Sequence, residues 1–288
     1  GPRLNAAGRL DDMSIGIECL LAESSASARG FAEKLHQLNR ERRDIEQSMQ
    51  QDALAQLESI DLEGDASLFA MTLYDPAWHQ GVIGILASRI RERVHRPTLV
   101  FADAEEGMLK GSGRSIPGLH LRDVLDQVAT RHPGLLTKFG GHAMAAGLSL
   151  ARDDLNRFKQ ALNDAVAEAL GYTPPERTEE SDGALARSDF GLPLAEQLAS
   201  GGPWGQHFPE PLFDGQFFVR SHRIVGEKHL KLTLDADGTE IEGIAFNIDV
   251  PKWLAAPLDA FHALYRLDVN EYRGERRAQL VIQSFWPC

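Results

Sequence analysis

The spacing of apolar residues near the start of the chain predicts one long helix. Apolar side chains recur about every 3.6 positions from Ala26 to about Ser59, and no proline or glycine interrupts them after Gly30. The positions that define this period are Phe31, Leu35, Leu38, Ile45, Met49, Leu54 and Leu57. We expect the helix to connect two domains. Its charged centre, residues 39–44, has the mixed composition of a solvated helix face.

The next hundred residues alternate between apolar runs and amphipathic periods. Strands are predicted at Leu68–Leu73, at Thr98–Phe101, in the residues that lead into Gly111, and at Met144–Leu150; helices are predicted at Gly81–Val94, Leu121–Thr130 and Asp153–Leu170. This alternation is typical of an α/β domain, and sheets of that kind usually bind ligands at strand ends. We place this domain at residues 60–170.

A proline-containing, acidic segment at residues 171–183 predicts a linker. A short helix at Pro193–Ala199 then precedes β-rich runs at Phe217–Val225, His229–Leu234, Ile241–Phe246, Leu264–Tyr272 and Ala278–Phe285. Five short strands predict a small barrel within residues 184–288. The strand count alone fits an SH3-like or another compact β-domain equally well.

Two glycine-rich segments carry candidate chemistry. Gly140-Gly141-His142 leads into small, uncharged residues, and backbone without a Cβ can approach a phosphate or sugar closely. Lys110–Ser115 places a guanidinium and two hydroxyls among glycines, and we expect this loop to curl around a phosphate bound by Arg114. A glycine turn before a buried strand and an exposed arginine in a hairpin are the alternative explanations. Neither segment has the residue order of a P-loop.

Two more segments add polar groups. Trp78-His79-Gln80 precedes a predicted helix, so His79 and Gln80 could reach a phosphate beside the helix amides. A packed tryptophan with a capping histidine explains the same residues equally well. The opening segment Gly1–Leu10 contains two arginines and an asparagine.

Taken in their order along the chain, these four segments resemble the C-terminal half of the RecJ family, single-strand-specific DNA exonucleases of the DHH phosphoesterase superfamily. The resemblance covers the whole chain, and the Gly140-Gly141-His142 segment resembles the signature of the DHH-associated domain. It implies an α/β plus β fold: a DHH-associated (DHHA1) α/β domain joined to a small OB-like β-barrel and preceded by the connecting helix at residues 26–59.

The resemblance also implies how a DNA strand is held. It puts Ser112 and Arg114 at a terminal 5′ phosphate, Arg3, Asn5 and Arg9 on a loop facing the active cleft, and the Gly140–His142 segment along nucleotides near the cut. The candidate nucleic-acid- and phosphate-binding residues are Arg3, Asn5, Arg9, His79, Gln80, Ser112, Gly113, Arg114, Ser115, Gly140, Gly141, His142, Arg273 and Arg276.

In the barrel, aromatic residues are candidates for stacking on bases and basic residues for phosphates. The aromatic candidates are Phe218, His222, Phe246, Tyr265, Tyr272 and Trp286, and the basic ones are Arg220, Arg223, Lys228, Lys231, Arg273, Arg276 and Arg277. We expect most of the aromatics to fill the core, because a small barrel needs large inward side chains. The Arg273–Arg277 hairpin is the better candidate.

The resemblance implies a preceding catalytic domain that binds a pair of Mn²⁺ or Mg²⁺ ions through aspartates, histidines and an Asp-His-His triplet. Residues 1–25 would be its remnant, so we expect a piece of a longer protein with no catalytic residue, cofactor or metal site of its own. The aspartate pairs Asp11–Asp12, Asp153–Asp154 and Asp235–Asp237 have no neighbouring histidine. Helix caps and a hairpin turn account for them.

Charge and composition agree with a DNA-binding piece. The net charge is −12, yet residues 70–150 carry 9 basic and 7 acidic residues, and a local positive field suffices for phosphates. Cys19 and Cys288 lack metal-ligand spacing, and no apolar run has the length of a membrane span. We expect a cytoplasmic protein that binds single-stranded DNA and, as a further partner, a single-stranded-DNA-binding protein. A non-catalytic binding module and a phosphodiesterase for short oligonucleotides or cyclic dinucleotides remain alternatives.

Overall fold

The computed structural model describes residues 1–58, 60, 67–176, 178–205, 207–248, 250, 253, 256 and 258–288. The chain divides into two compact units, Gly1–Arg177 and Thr178–Cys288. Within the described ranges, none of the helices is both long and apolar enough to cross a membrane.

Three helices open the first unit: α1 (Pro2–Leu10), α2 (Ser14–Leu21) and α3 (Ser25–Glu58). The predicted long helix is confirmed as α3. Its first half packs through Leu35 and Leu38 against α1 and α2, and its second half packs through Met49, Ala53 and Leu57 against the sheet that follows.

The sheet of the first unit has five strands in the order β1-β2-β3-β5-β4. The strands are β1 (Met71–Tyr74), β2 (Thr98–Asp103), β3 (Met108–Arg114), β4 (Lys138–Gly141) and β5 (Ala145–Ala151), and the helices between and after them are α4 (Ile83–Val94), α5 (Leu121–Arg131) and α6 (Leu155–Ala169). β1 and β2 are parallel, and the other pairs are antiparallel.

The two faces of this sheet are covered differently. α5 and α6 pack on one face through a core that includes Leu99, Phe101 and Leu148. On the other face α4 and the end of α3 pack on β1 and β2 around Val100. Residues of β4 and β5 on this second face, among them Gly140 and Gly147, are exposed. We call this exposed region, together with the adjoining residues of β3, the open face.

The structure differs from the prediction at two glycine segments. The expected loop at Lys110–Ser115 is wrong, because Lys110 to Arg114 belong to the extended strand β3. Gly140 and Gly141 belong to a short edge strand, β4, that the apolar pattern does not predict. Alternating glycine and polar residues hide the period of two by which a strand is usually recognised.

The second unit is a closed five-stranded barrel in the order β10-β8-β7-β6-β9, as predicted. Its elements are α7 (Leu192–Ser200), β6 (Phe213–Val225), β7 (His229–Ala236), β8 (Thr239–Ala245), β9 (Ala260–Tyr272) and β10 (Glu275–Pro287). Alternate residues point inward, and Phe217, Phe261 and Tyr265 are among the fully buried side chains of the core.

Candidate nucleic-acid interface

Arg114 and Ser112 lie together beside the first turn of α4. Arg114 Nη1 donates to Ser112 Oγ at 3.3 Å and to the carbonyl of Gly113 at 2.8 Å. A Cβ on Gly84 would lie 3.0 Å from Ser112 Oγ and 3.1 Å from Arg114 Nη2. Glycine at this position therefore lets both polar groups approach the helix start.

The start of α4 favours an anion for a second reason. The amides of a helix's first turn have no intrahelical acceptor and carry the positive end of the helix dipole. The residue that precedes α4, Val82, supplies no side-chain cap. Arg114, Ser112 and these amides are thus complementary to a phosphate.

Positive charge is concentrated around Arg114. Burial lowers the pKa of the Arg114 guanidinium, and the nearby charges of Arg9 and Arg91 lower it further. Within the described part of the chain, no carboxylate lies within 4.0 Å of Arg114. A half-buried cation among like charges and without an acid is stabilised by a bound anion.

Arg9 is held in place by close backbone packing. Its Nη1 donates to the carbonyl of Gly81 at 3.2 Å. A Cβ on Gly81 would lie 2.0 Å from the carbonyl oxygen of Arg9, so only glycine permits this contact. The end of α1 therefore abuts the turn before α4, which brings Arg9 towards Arg114.

The open face has a floor of bare backbone. Ser112, Gly147 and Gly140 are register partners on β3, β5 and β4. No atom lies within 4 Å of a Cβ built on Gly140, and only the carbonyl oxygen of Gly111 does so, at 3.8 Å, for Gly147. The protein itself does not require glycine at these two sites, which leaves room for a ligand against the strands.

Further polar groups border this floor. Lys110 and Lys138 both pair with Ser149, so the two exposed lysines lie on the same face. The amide of exposed His142 donates to the carbonyl of Ala145 at 2.8 Å, and Ala145 is the register partner of Arg114. His142 and Arg114 therefore flank the same residue, at one end of the open face.

Of the remaining predicted residues of the N-terminal segments, Arg3, Asn5, His79 and Gln80 are exposed and Arg9 is half-buried. Arg3, Asn5 and Arg9 lie on helix α1, so the expected loop is wrong; Pro2 occupies the first turn, where its fixed φ favours a helix. Arg3 Nε donates to His36 Nδ1 at 3.2 Å. His79 and Gln80 lie in the turn before α4, and His79 Nδ1 accepts from the amide of Gly81 at 3.0 Å.

Ser115 and Gly113 have structural roles instead of the expected contacts. Ser115 is fully buried, and its hydroxyl donates to the carbonyl of Leu119 at 2.7 Å. Gly113 faces the covered side, where a Cβ would lie 2.7 Å from Leu121 Cδ2. Neither the Ser115 hydroxyl nor the side of the strand that Gly113 faces is open to a phosphate. Gly141 likewise faces inward, with a φ of 149° and a built Cβ only 2.4 Å from the carbonyl oxygen of Ala145.

The barrel carries a groove of about 590 Å³. It is lined by Arg223, Val225, Lys231, Glu242, Ile244, Asn270, Tyr272, Arg273, Glu275, Arg277 and Gln279. The guanidinium of Arg273 lies over the ring of Tyr272, 5.2 Å from its centroid. Arg276 is outside this lining and pairs with Glu196 of α7 at 2.6 Å. The structure thus brings Arg273 into the groove but leaves Arg276 bound elsewhere.

The aromatic candidates of the barrel separate by exposure. Tyr265 is fully buried in the core, whereas Tyr272 is 65% exposed and lines the groove. Exposed Phe218, Phe246 and Trp286 lie outside that lining. Of these, Trp286 stacks on His262 with centroids 5.1 Å apart.

Several residues near Arg114 or on the open face are absent from those predicted by sequence: Gly84 and Arg91 of α4, and Lys110, Lys138 and Gly147 of the open face. Gly84 and Arg91 are seven positions apart, which places them on one side of α4. The sequence shows that spacing, but it relates the two residues to Arg114 only when β3 is known to lie beside α4.

Among the residues that the structure places, no three His, Cys, Asp or Glu side chains are positioned to hold a metal ion. The aspartate pairs have local roles. Asp12 Oδ1 accepts from the amide of Ser14 at 2.8 Å beside the start of α2, and Asp235 Oδ1 accepts from the amide of Gly238 at 2.6 Å in a hairpin turn. These residues do not fit a divalent metal centre.

Comparison with known proteins agrees with both units. Residues 65–168 match the DHHA1 domain, and residues 181–284 match the RecJ OB domain. The chain is 52% identical over its whole length to the single-stranded-DNA-specific exonuclease RecJ of Dickeya dadantii and 48% identical to that of Escherichia coli, covering 50% of each.

A crystal structure of RecJ from Thermus thermophilus in complex with Mg²⁺ superposes with a TM-score of 0.79 at 28% identity, over 100% of this chain and 42% of that one. The chain spans about half the length of the curated relatives it matches. With both of its units matched in order and its whole length aligned to these exonucleases, the chain belongs to the RecJ family.

Proposed function

We propose that this chain is the substrate-holding part of a single-stranded-DNA-specific exonuclease that hydrolyses phosphodiester bonds from the 5′ end. The observation that carries the proposal is Arg114: a half-buried guanidinium without an acid partner in the described chain, bound to Ser112 beside the start of α4. The names of the relatives support the substrate and the reaction.

In this proposal Arg114, Ser112 and the first-turn amides of α4 bind the 5′-terminal phosphate. A terminal phosphate carries more charge than an internal diester, and it presents three oxygens to the hydroxyl, the guanidinium and the amides. Arg9 adds a second positive charge from α1. His79 and Gln80, exposed in the turn before α4, are further candidates for the same phosphate.

The strand then runs over the open face. The floor at Gly140 and Gly147 admits the sugar-phosphate backbone closely, while His142, Lys110 and Lys138 supply polar and charged contacts at its edges. Contacts of this kind are directed at the backbone, so the proposal includes little sequence preference.

The barrel contributes a second contact surface for the strand. Its groove combines Arg223, Arg273 and Arg277 with the exposed ring of Tyr272, and cations beside an aromatic platform suit single-stranded DNA. The matched RecJ OB domain supports this assignment. A single-stranded-DNA-binding protein is a further proposed partner.

The intact protein would use Mn²⁺ or Mg²⁺, as the Mg²⁺ and Mn²⁺ complexes of the Thermus thermophilus relative suggest. We propose that residues of the intact protein outside this chain bind these ions, and that this chain holds the strand. Residues 1–25 would close the catalytic domain, 26–59 connect it to the α/β domain at 60–170, and 171–183 link that domain to the barrel at 184–288. The relatives are bacterial, and the protein would act in the cytoplasm.

Substitution of Arg114 tests the proposal. In the intact protein, Arg114→Ala should weaken binding of 5′-phosphorylated strands by roughly 10- to 100-fold, because it removes a charge-assisted contact, and affect 5′-hydroxyl strands much less. The comparison is made by competition with otherwise identical oligonucleotides. Arg122→Ala, an exposed arginine on α5 across the sheet, is the matched control. Equal losses on both strand types would remove the assigned role.

A second measurement concerns the chain by itself. We expect the 288-residue chain to bind single-stranded DNA but show no turnover with Mn²⁺ or Mg²⁺. Gel shifts and release of labelled nucleotides measure the two properties separately. Cleavage that persists in repurified protein would mean that the catalytic residues lie in this chain.

A further inference from the structure

The cations of the barrel groove are partly neutralised by the groove's own acids. Lys231 Nζ lies 2.9 Å from Glu242 Oε2, and Arg277 Nη2 donates to Glu275 Oε2 at 2.7 Å. All four residues line the groove. Only Arg223 and Arg273, of the groove's four cations, have no carboxylate within 4.0 Å in the described chain.

The two acids occupy different parts of the groove. The Lys231 and Glu242 side chains are 21% and 34% exposed, on adjacent central strands β7 and β8. The Arg277 and Glu275 side chains are 66% and 70% exposed, at the start of β10. The register partner of Glu242 on β10 is Gln279, which also lines the groove. Arg223 of β6 is the register partner of Lys231, so a free guanidinium lies beside the lysine that Glu242 neutralises.

A phosphate that approaches Lys231 or Arg277 must displace a carboxylate that stays in the groove and repels it. Each phosphate that a protein neutralises adds to its affinity for nucleic acid. Because Lys231 and Arg277 are already paired with carboxylates, each of them makes a weaker contact with a phosphate. Glu275 is not required to hold the fold, since exposed ion pairs contribute little stability.

We propose that Glu242 and Glu275 compete with DNA phosphates for Lys231 and Arg277, so that the barrel holds a strand loosely and releases it quickly. The inference rests on the proposed function, because it needs the groove to bind single-stranded DNA. A loosely held strand can move through the groove as nucleotides are removed from its 5′ end, whereas a tightly held strand would resist this movement.

Removal of each negative charge tests this. Glu242→Gln and Glu275→Gln are made in the 288-residue chain, and binding of a 5′-hydroxyl oligothymidylate of about 16 nucleotides is measured by fluorescence anisotropy over a range of salt. We expect each variant to bind about 3- to 10-fold more tightly at low salt, with the slope of log K against log salt steeper by about 0.7, and to release the strand more slowly. Glu275→Gln lies on an exposed hairpin, so it carries no risk to folding.

Glu180→Gln is the matched control, because it removes the same charge from an exposed site outside the groove lining. Unchanged affinity and slope in both groove variants, or equal tightening by Glu180→Gln, would overturn the inference. Arg223→Ala and Arg273→Ala distinguish this from failure of the proposed function. If those variants weaken binding while the glutamate variants do nothing, only the inference is wrong. If none of the four changes binding, the groove does not hold DNA, and the role proposed for the barrel is wrong as well.

Discussion

Gly111 and Gly147 lie on neighbouring strands but face opposite sides of the sheet. A Cβ on Gly111 would lie 2.4 Å from Phe101 Cε1 and 2.9 Å from Leu148 Cδ2, inside the core. A Cβ on Gly147 would point onto the open face, with only one backbone oxygen at 3.8 Å. Gly111 therefore serves packing, and Gly147 leaves space above the strand.

Alanine at these two positions should have opposite consequences. Gly111→Ala overpacks the core and should destabilise the fold by about 1–3 kcal/mol, measured by urea unfolding. Gly147→Ala should leave stability unchanged or raise it by about 0.5–1 kcal/mol, because alanine costs less conformational entropy than glycine. We expect Gly147→Ala to weaken binding of single-stranded DNA instead.

The two variants control for each other, since each adds one methyl group to an adjacent strand. Loss of DNA binding by a folded Gly111→Ala protein, with normal binding by Gly147→Ala, would reverse the assignment of the faces. The sequence alone cannot separate the two glycines, because it does not show which side of its strand each one faces. The same holds for Ser112 and Ser115, of which only the first faces the candidate site.

At the scale of elements, strong periodicity predicts well and glycine-rich strands do not. The long helix and the five barrel strands follow from apolar residues at periods of 3.6 and 2, which burial on one side requires. β4 and the second half of β3 escape prediction because one side of each is bare or polar where it meets the open face. Because these strands lack apolar side chains on the open face, that face is available to a ligand, and for the same reason the sequence lacks the apolar period that would predict a strand.

Residues 181–183, which we call the strap, are hydrogen-bonded to the barrel at the start of β6. The amide of Asp182 donates to the carbonyl of Leu212 at 2.7 Å, and the amide of Asp214 donates to the carbonyl of Gly183 at 3.2 Å. The hydroxyl of Ser181 donates to the carboxylate of Asp214, whose other oxygen lies 2.9 Å from His262 Nε2. Asp214 thus connects the strap, β6 and β9.

The carboxylate of Asp214 should make the barrel's stability depend on pH. Its hydrogen bond from Ser181 and, next, its contact with His262 lower the pKa of Asp214 below the ordinary value. The stabilisation is therefore complete above about pH 4, the unfolded value, and is lost as the pH falls through the lower folded pKa. Asp214→Asn should reduce the urea midpoint at neutral pH, and the difference from the parent should shrink in acid.

Circular dichroism during urea titration at several pH values measures this difference. Asp259→Asn, an exposed aspartate at the start of β9, serves as the control. A deficit in Asp214→Asn that stays constant down to pH 2 would show that the carboxylate charge is not what stabilises the strap.

On the scale of the whole molecule, each compact unit has hydrophobic clusters of its own. The clusters of the first unit are built from α1 to α6 and the sheet, and the barrel cluster is built from residues after 184. We expect residues 1–177 and 178–288 to fold when produced separately, each with the unfolding midpoint it has in the whole chain. Calorimetry of the chain and of both pieces tests this. A piece that fails to unfold cooperatively would show that its core depends on the other.

Overall charge gives a poor guide to the candidate sites. The chain carries −12, but Arg114 lies among like charges, and the barrel groove contains four cations and two acids. The sequence shows that residues 70–150 are less acidic than the rest, which indicates the unit that contains Arg114. It does not show which arginines lack acid partners, because ion pairs such as Arg276–Glu196 join residues 80 positions apart.

Helix α3 supplies one stripe of side chains to two separate cores, through Leu38 in one and Met49 in the other. These residues are 11 positions apart, which is about three full turns, so both cores lie on the same side of the helix. Insertion or deletion of one residue between them would swing one core by about 100° about the helix axis. The number of residues between Leu38 and Met49 therefore fixes how the two cores are rotated relative to each other, and insertion or deletion of one residue there should be incompatible with the fold. Insertion of 11 residues would restore the rotation but lengthen the helix by about 16 Å, which would separate Arg9 from Gly81.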